Sequence, residues 1–586
     1  MCSIIGYSGK DNAAPIIVKG LKRMEYRGYD SVGVATESNS QIQVKKGVGK
    51  VAEVNSKVHL ENLPGKIGIG HTRWATHGKV SDENAHPHPS NSGKITIVHN
   101  GIIENFIELK DELKKEGYNF QSETDSEVIA NLLQKNYEIL KNVKNTMIKT
   151  VSELKGHYSF IAMFENGQLA AARFHEPLII GVGEKNYFLS SDVLGFIEQT
   201  DDVIYIDNGN MVLIDQNVME ILDFDGIKIK PQITKVSKEF ADVYKGDYAH
   251  FTLKEISEQS ETVFKAGEST IEAIKEASDY IKHAKNIYLT GSGTSHNASL
   301  VAKYLFSKYA KIKTESIIAS ELQFSPDSIE SNSILIAISQ SGESADVLEA
   351  VNIAKKANCK IISIINSLTS TLARESDIVI GMNCGPEIGV AATKSFTSQL
   401  IILYKIIQEL SNEKVEINFQ EISSSISKIL EEHYNIKKIA SEIKEISDVY
   451  VLGRGIHYPI AIESALKIKE LTYIHAEGIA GGELKHGPLA LMDSNVFVIL
   501  INPEDSTYQD TLTSGREIKA RGAKIIGISD KNSDVYDFWI KIPKTNELTF
   551  PISETVPIQL LSYYAALEKN TDPDYPRNLA KSVTVK

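Results

Sequence analysis

The sequence predicts a mixed α+β N-terminal part followed by two copies of a doubly wound α/β domain. Residues 1–238 alternate short β-branched runs with polar, glycine-containing turns and few helices, which is typical of α+β domains. Further along the chain, strand-like runs alternate strictly with helical ones, the pattern of a parallel sheet. This alternation occurs twice at a nearly constant offset, which matches Gly291 to Gly453 and Lys360 to Lys524. A constant offset indicates duplicated domains.

The first part contains several strand-like runs and two amphipathic helices. The strand-like runs, which are rich in β-branched residues, are KIGIGHTRW, KITIVHNGI, YSFIAMF and MVLIDQ. PIIVKGLKRMEYRG and SETDSEVIANLLQKNYEIL have apolar residues at three- and four-residue spacing, which predicts helices. The acidic start of the second run suits the positive end of a helix dipole.

Composition and pattern divide the chain into five segments. They are residues 1–238 as the first domain, 239–280 as a linker and connecting helix, 281–415 as the first α/β copy, 416–571 as the second copy and 572–586 as a C-terminal tail. The tail has no strand pattern and would fray unless it docks. We therefore expect it to dock between the two halves.

Composition also restricts the compartment and the partners. The formal net charge is −13, so the surface as a whole repels polyanions and nucleic acid is not an expected partner. No run reaches the length of about 18 apolar residues that predicts a membrane span, and the N-terminus lacks the basic region of a signal peptide. The three cysteines, Cys2, Cys359 and Cys384, are too few for a disulfide framework. We expect a cytoplasmic protein.

Cys2 occupies a chemically special position. A small second residue normally allows removal of the initiator methionine, so the mature chain can begin with this thiol. A terminal residue carries its own α-amine, with a pKa near 7.7 to 8.0 against about 8.5 for the thiol, so a base lies beside the nucleophile. By itself Cys2 could equally be a residue selected for processing or packing. Its interpretation depends on the motifs that accompany it.

Three motifs accompany Cys2 at predicted strand ends and helix starts: HTRWATHG, HNG and SETDSE. With them the sequence resembles the class II glutamine amidotransferases, which have an N-terminal cysteine nucleophile. The run MEYRGYDSVG narrows the resemblance to the glucosamine-6-phosphate synthase family. The resemblance covers essentially the whole chain. It implies an N-terminal nucleophile fold followed by two sugar isomerase (SIS) domains.

The resemblance implies a glutamine site in the first domain. Arg73 would bind the α-carboxylate, since a guanidinium fork matches a carboxylate, and Asp125 would bind the α-ammonium. Asn100 and the Gly101 backbone N–H would form an oxyanion hole, worth about 3 kcal/mol for each donor. Further glutamine-binding residues implied by the family are Trp74, Thr76 and His77. Simple packing is the alternative for Trp74.

Five histidines in the same region suggest a metal site only superficially. They are His71, His77, His86, His88 and His99. They lack the helical spacing and the cysteine partners of zinc sites. We therefore predict hydrogen-bonded loop histidines, with no metal and no cofactor.

Two serine-rich loops predict a phosphate site in the first α/β copy. GSGTS and SQSGES each follow a buried strand and open a helix, so hydroxyls and backbone N–H groups converge on a positive helix terminus. The contacts that the resemblance implies for the sugar phosphate are Thr294, Ser295, Ser339, Gln340, Ser341, Ser344, Val390 and Thr393. Ala392 and Ser3 depart from the family, which often has serine and glycine there. The second copy has INPEDST in place of ISQSGES, so we expect one sugar site per chain.

The second copy offers catalytic side chains instead. Lys467 and Glu470 are three residues apart and share a helix face. The resemblance makes Glu470 the acid/base between C1 and C2, His486 the ring-opening group and Lys581 the amine that engages the ketone. Lys467 would assist near the sugar hydroxyls. Without the family match, solvated surface charge is the usual reading of such residues.

The resemblance implies an enzyme that converts L-glutamine and fructose 6-phosphate to glucosamine 6-phosphate and glutamate, passes ammonia internally and forms a homodimer. Amidotransferases that act on phosphoribosyl pyrophosphate or aspartate are rival interpretations, but the duplicated α/β region argues against both. A sugar-phosphate sensor that has lost catalysis is a rival of another class. The retained Cys2, Glu470, His486 and Lys581 argue against it.

Overall fold

The computed structural model of the chain describes residues 2–75, 77–216, 218–236, 245–268, 271–412 and 415–584. Contacts between residues divide the chain into two compact units. The first unit contains Met1–Tyr244 together with Ala580–Lys586, and the second contains Lys245–Leu579. By its contacts, the end of the chain is thus grouped with the first unit.

The first unit contains two antiparallel sheets. Its strands are β1 (Ser3–Ser8), β2 (Ser31–Ser38), β3 (Gln41–Val48), β4 (Ile67–Arg73), β5 (His88–Pro89), β6 (Ile95–Ile103), β7 (Gly156–Phe164), β8 (Leu169–Phe174), β9 (Ile179–Val182), β10 (Tyr187–Ser190), β11 (Asp202–Tyr205), β12 (Asn210–Asp215), β13 (Val218–Asp223), β14 (Lys228–Ile229) and β15 (Thr234–Lys235). One sheet has the order β15-β11-β9-β10-β1-β4-β2-β3 and the other β14-β13-β12-β8-β7-β6-β5.

Helices cover the outer faces of these sheets. The helices of this unit are α1 (Ala13–Met24), α2 (Val51–Val58), α3 (Phe106–Lys115), α4 (Glu127–Leu140) and α5 (Val143–Glu153). Helices α1 and α2 share a core with the first sheet, and α3 to α5 share one with the second. A third core between the sheets joins fully buried Ile4 and Ile69 to Val98 and Ile161. The unit is therefore a four-layer sandwich.

The second unit contains two parallel sheets. The strands of the first are β16 (Ile287–Gly291), β17 (Glu315–Ile318), β18 (Ile334–Ser339), β19 (Lys360–Ile365) and β20 (Ile378–Gly381). Those of the second are β21 (Asp448–Gly453), β22 (His475–Ala480), β23 (Phe497–Ile501), β24 (Lys524–Ser529) and β25 (Phe538–Lys541). The orders are β17-β16-β18-β19-β20 and β22-β21-β23-β24-β25, so the second sheet repeats the first. The predicted duplication is confirmed.

Helices surround both parallel sheets. They are α6 (Phe251–Ser257), α7 (Gln259–Glu268), α8 (Ile271–His283), α9 (Thr294–Leu305), α10 (Ala319–Leu322), α11 (Ala345–Lys356), α12 (Thr371–Glu375), α13 (Lys394–Leu410), α14 (Phe419–Glu431), α15 (His433–Ile443), α16 (His457–Thr472), α17 (Tyr508–Lys519) and α18 (Phe550–Glu568). One core contains Ile336 of the first sheet, Ile499 of the second, and Leu403 and Leu561 from the helices. The two copies therefore fold around a shared interior. Among the described residues, no helix combines the length and apolar character needed to cross a membrane.

Candidate active site

Strand pairing places Cys2 beside the end of β4. Ser3 on β1 lies opposite Thr72 on β4, so the preceding residue lies next to the chain that leaves Arg73. The Trp74 backbone N–H donates to Cys2 Sγ at 3.2 Å. Burial raises the pKa of the Cys2 thiol, while the N-terminal ammonium, this N–H and Arg73 oppose that rise. Burial is the largest of these influences, so the pKa of the thiol stays above its ordinary value. A nearby base must therefore take the proton before the sulfur can act as a nucleophile.

Strand β6 brings the predicted oxyanion residues to Cys2. The Asn100 Nδ2 donates to the Cys2 carbonyl oxygen at 3.1 Å. Gly101 has a φ of +113°, and a Cβ there would lie 2.0 Å from the His157 carbonyl oxygen. No other residue fits that position, because it combines a left-handed backbone with a direct clash. The structure thus brings together three of the predicted residues.

Arg73 is engaged with the backbone that follows it. Its guanidinium donates to the carbonyl oxygens of His77, Gly78 and Lys79, the last two at 3.1 and 3.2 Å. Burial lowers the pKa of Arg73, and the charges of Cys2 and nearby carboxylates oppose this. A glutamine carboxylate would have to replace these carbonyl oxygens. The predicted grip of Arg73 on the substrate therefore remains a prediction.

The other predicted glutamine-site residues lie around this loop. Asp125 is buried, and its Oδ2 accepts from the Ile103 backbone N–H at 2.8 Å. Trp74 is half-buried. The ring of His77 packs edge-on against Phe106, with centroids 5.9 Å apart. Thr76 lies outside the described residues.

The loop between α1 and β2 supports the nucleophile, a role that our reading of the sequence missed. A Cβ at Gly28 would lie 2.8 Å from both the Arg73 carbonyl carbon and the Trp74 nitrogen, so glycine allows the two backbones to pass. Asp30 Oδ2 accepts from the Ala75 N–H at 2.8 Å. Arg27 Nη2 pairs with Asp192 Oδ2 at 2.5 Å. The signal in the run MEYRGYDSVG is a glycine between Arg27 and the nearby Asp30.

The histidine prediction is confirmed in part. His77 and His86 lie in loops, as predicted, but His71, His88 and His99 do not. In the part of the chain that the structure describes, four of the five rings form hydrogen bonds, those of His71, His86, His88 and His99. His71 lies on β4, His88 on β5 and His99 on β6, because these strands carry polar side chains into the interior near the site. The rings of His71 and His86 stack with centroids 4.0 Å apart. His71 Nε2 lies 2.9 Å from the His99 carbonyl oxygen. Burial lowers the pKa of His71 to about 3, which keeps this ring neutral. Within the described ranges, no group of three or more potential ligands is placed to hold a metal ion.

The serine-rich loops lie at one edge of the first parallel sheet. Strands β16 and β18 are parallel neighbours, so the loops that follow them emerge side by side. GSGTS leads into α9 at Thr294, and SQSGES leads into α11 with Ser344 as its N-cap. The strand order reverses between these two strands, which is where doubly wound domains bind ligands. The predicted strand–loop–helix context of both motifs is confirmed.

Hydroxyl groups stabilise SQSGES internally and link GSGTS to helix α13. Ser339 Oγ accepts from the Gly342 N–H at 3.0 Å, and Ser341 Oγ accepts from the Glu343 N–H at 3.2 Å. Ser295 Oγ accepts from Gln399 Nε2 at 3.0 Å. The loops are therefore ordered as a cradle, and Gln340 is half-buried between the two serines.

The loop before α13 differs from the expected contact surface. Thr393 is fully buried, and its backbone N–H donates to Glu387 Oε1 at 2.9 Å. The Val390 N–H donates to the Asp574 carbonyl oxygen at 3.1 Å. In this structure, therefore, the Thr393 side chain presents no exposed surface to a ligand. The neighbouring Ala392 is half-buried.

Helix α16 brings charged side chains to the GSGTS loop. Lys467 Nζ lies 2.6 Å from Glu470 Oε2, which confirms the helix-face pairing predicted from the three-residue spacing. Lys467 Nζ also donates to Thr294 Oγ1 at 3.0 Å. Burial lowers the pKa of Lys467, but Glu463 and Glu470 outweigh burial and raise the pKa above its ordinary value. Lys467 therefore stays charged. Glu463 was missed, because one glutamate on a helix resembles a surface residue.

Two further predicted residues are less enclosed. His486 ends a short 3₁₀ helix, Glu483–His486, and is exposed. The following Gly487 has a φ of +143° with open space around it. Lys581 is half-buried and belongs by its contacts to the first unit.

The second parallel sheet has a different group at the equivalent edge. His457, at the start of α16, is fully buried. Its Nε2 lies 2.9 Å from Asp505 Oδ2, and its Nδ1 lies 2.8 Å from Glu554 Oε1. Asp505 belongs to INPEDST, the counterpart of the serine-rich loop. A charged internal cluster thus lies where the first copy has its cradle, in keeping with one predicted sugar site per chain.

Comparison with known proteins agrees with this domain organisation. A family model described as a glutamine amidotransferase domain matches residues 71–197. A model described as an SIS domain matches residues 280–407 and 442–569. A solved C-terminal domain of glucosamine-fructose-6-phosphate aminotransferase from Francisella tularensis has 37% sequence identity and a TM-score of 0.53, and the match covers 57% of this chain and 100% of that chain. The fold and sites define a class of enzyme in which a glutamine amidotransferase domain precedes two SIS domains.

Full-length relatives identify the family. Two of them are named glutamine–fructose-6-phosphate aminotransferase (isomerizing). The one from Pyrococcus horikoshii is 43% identical over 599 residues, and the one from Methanothermobacter thermautotrophicus is 42% identical over 593 residues. Both matches cover 100% of this chain and 100% of the relative. The chain belongs to the glutamine–fructose-6-phosphate aminotransferase (isomerizing) family.

Proposed function

We propose that this enzyme converts L-glutamine and fructose 6-phosphate to glucosamine 6-phosphate and glutamate, the first step of hexosamine synthesis. One observation carries the proposal. The same chain has a thiol beside a side-chain amide donor, Cys2 with Asn100, and a buried lysine–glutamate pair, Lys467 with Glu470, beside a phosphate-type cradle. The first group suits attack on a carboxamide, and the second suits proton transfer on a sugar phosphate.

In the first half-reaction, the Cys2 thiolate attacks the carboxamide carbon of glutamine. The α-amine of a processed N-terminus takes the thiol proton. Asn100 Nδ2 and the Gly101 N–H donate to the developing oxyanion, where each donor is worth about 3 kcal/mol. Collapse expels ammonia and leaves a glutamyl thioester, which water hydrolyses to glutamate. Arg73 and Asp125 bind the α-carboxylate and the α-ammonium of the substrate.

In the second half-reaction, the loops of the first α/β copy hold the phosphate. His486 opens the sugar ring, and the Lys581 amine forms a Schiff base with the C2 ketone. Ammonia replaces the lysine at C2 and gives an imine. Glu470 takes a proton from C1 and delivers one to C2, which yields the aldose with nitrogen at C2. Lys467 neutralises charge near the sugar hydroxyls.

The assembly and the compartment belong to the same proposal. We propose that the enzyme is a cytoplasmic homodimer and that ammonia passes internally from the glutamine site to the sugar site. The free thiols of Cys2, Cys359 and Cys384 support a reducing compartment. Light scattering on the purified enzyme should give twice the mass of the chain.

Two variants test the proposed function. We expect Cys2→Ala to abolish glutamine hydrolysis while slow synthesis from added ammonium salt continues. The Lys581→Ala variant should hydrolyse glutamine yet form no amino sugar, because the lysine amine that forms a Schiff base with the C2 ketone is absent. Both products are measured with glutamine and fructose 6-phosphate, and Cys359→Ala, which changes a buried cysteine of the second unit, is the matched control. Undiminished glutamine-dependent synthesis by Cys2→Ala would contradict the mechanism.

A further inference from the structure

The buried carboxylate of Glu463 has no task in the mechanism above. Its side chain lies on α16, one turn before Lys467, and only 1% of the residue is exposed. Glu463 Oε1 accepts from Thr294 Oγ1 at 3.1 Å, and Oε2 accepts from Asn297 Nδ2 at 2.8 Å. Thr294 and Asn297 both lie on α9 of the first copy. A carboxylate from one copy is therefore bound to the helix that opens the cradle in the other.

Glu463 also shares the ammonium group of Lys467. An ammonium has three hydrogens to donate, and three groups surround this one. Lys467 Nζ lies 3.0 Å from Thr294 Oγ1, 3.4 Å from Glu463 Oε1 and 2.6 Å from Glu470 Oε2. Since Lys467 is 1% exposed, water does not compete strongly for these hydrogens. The ammonium is divided between two carboxylates.

Three carboxylates contribute most to the charge around this ammonium. Glu463 and Glu470 face it from its own helix, and Glu387, from the loop before α13, adds a more distant negative charge. Helix α9 contributes the neutral groups of Thr294 and Asn297. Burial raises the pKa of Glu463, and Lys467 opposes this rise. A buried carboxylate, Glu463, and a half-buried one, Glu470, therefore compete for one cation.

That competition affects proton transfer. A carboxylate that has a cation to itself is held in its ionised form, so it becomes a weaker base than a carboxylate that shares the cation with another. General base catalysis loses rate as the base weakens. Glu470, the proposed proton carrier, is the more accessible partner of Lys467, with 21% of its side chain exposed. A second carboxylate that draws on the same ammonium weakens the hold of Lys467 on Glu470.

We propose that Glu463 is a positioning residue for the proton transfer by Glu470, because it takes a share of the Lys467 ammonium and fixes that ammonium against Thr294. This inference rests on the proposed function. Glu463 itself does not touch the substrate. It acts by setting how strongly Lys467 attracts the carboxylate of Glu470, which does contact the substrate in the proposed mechanism.

Glu463→Gln tests the inference, because glutamine keeps the shape and removes the charge. We expect the kcat for glucosamine 6-phosphate to fall about tenfold, and the acid side of the pH–rate profile to move to lower pH by about one unit. Lys467 then pairs with Glu470 alone and keeps it ionised in more acid solution. The KM for fructose 6-phosphate should stay within about twofold, since the loops that hold the phosphate are unchanged. The ratio of variant to parent rate is measured at each pH, so that titration of the glutamine site cancels.

Two further variants separate charge from packing. Glu463→Asp keeps the charge and should restore the acid side of the profile, even if the kcat falls. Asn297→Ala removes a neutral contact of Glu463, and we expect it to keep the acid side of the parent. A shifted acid side in Glu463→Asp, or an unshifted one in Glu463→Gln, would overturn the inference. Failure of the proposed function would be seen in the parent enzyme, which would then make no amino sugar.

Discussion

Gly28 influences the glutamine site without contributing a side chain. The added Cβ of an alanine would lie 2.8 Å from the backbone of both Arg73 and Trp74, which is closer than non-bonded carbon atoms approach. Trp74 supplies the N–H that holds Cys2 Sγ. A change at Gly28 must therefore move the loop that holds the nucleophile.

We predict that Gly28→Ala lowers glutamine hydrolysis by about a hundredfold, the cost of roughly 1 Å misplacement of reacting groups. Synthesis from added ammonium salt should remain near the parent rate, because the second unit is unchanged. The two activities are assayed separately. Gly47→Ala is the matched control, since the three nearest atoms to its added Cβ belong to side chains and not to the backbone, the closest being Val54 Cγ1 at 3.1 Å. Equal losses in both activities would refute this prediction.

Individual residues differ in how well sequence predicts them. The pairing of Lys467 with Glu470 follows from helical spacing alone, because both partners lie on one helix. Glu463 was not predictable in this way, since the side chains of Thr294 and Asn297 come from another part of the chain. The role of Thr393 at the sugar phosphate stays a prediction, and the hydrogen bond from its backbone N–H to Glu387 is one that no local pattern indicates. Contacts within one helix could be predicted from the sequence, whereas contacts between distant segments became visible only in the folded structure.

Helix α16 begins at a buried ionic cluster. Burial alone would lower the pKa of His457, but the carboxylates of Glu554 and Asp505 outweigh burial and raise it to about 10. A group whose pKa is raised by folding stabilises the protein fully below its unfolded value of about 6.5. That stabilisation is lost as the pH rises through the folded value. The start of the catalytic helix should therefore weaken in alkaline solution.

We predict that the free energy of unfolding of the second unit decreases between about pH 7 and pH 10 by up to roughly 1.4 kcal/mol per pH unit. His457→Gln should flatten this dependence. Denaturant unfolding at several pH values measures it, and His433→Gln, at an exposed histidine, is the control. The ring proton signals of His457 in NMR spectra should also remain constant from pH 5 to about pH 9. A titration near the ordinary value of histidine would show this prediction to be wrong.

The sequence predicted the type of each helix or strand better than it predicted what packs against that element. Strands β4, β6, β7 and β12 and helices α1 and α4 appear where β-branched runs and three- and four-residue spacing indicated them. The helix predicted to include EYRG instead ends at Met24 and tightens into a 3₁₀ turn, Glu25–Arg27, where Arg27 pairs with Asp192. Three buried histidines, His71, His88 and His99, were predicted in loops but lie on strands. Their burial arises from sheet packing, which single-sequence patterns do not encode.

At the scale of the whole molecule, the chain forms two compact units with separate cores. The sequence predicted a boundary at residue 238, and the contact boundary lies after Tyr244. The grouping of Ala580–Lys586 with the first unit could not be read from a short tail without a pattern. A protein of several domains need not unfold in one step.

We predict two thermal transitions in calorimetry, one for each unit. In Cys2→Ala, which binds glutamine without consuming it, saturating glutamine should stabilise the first unit alone. At one hundred times its dissociation constant, fructose 6-phosphate should add about 2.7 kcal/mol to the free energy of unfolding of the second unit. The temperature of the other transition should therefore rise. The parent with neither ligand is the reference. A single transition that both ligands raise together would contradict this division.

The bond between Thr294 and Glu463 has a consequence for the history of the chain. After a gene segment is duplicated, either copy can usually decay while the other retains the ancestral activity. Here one copy carries the serine-rich loops and the other the charged helix, and this bond joins them. Under the proposed function each copy supplies half of one site, so the loss of either copy would abolish amino-sugar synthesis.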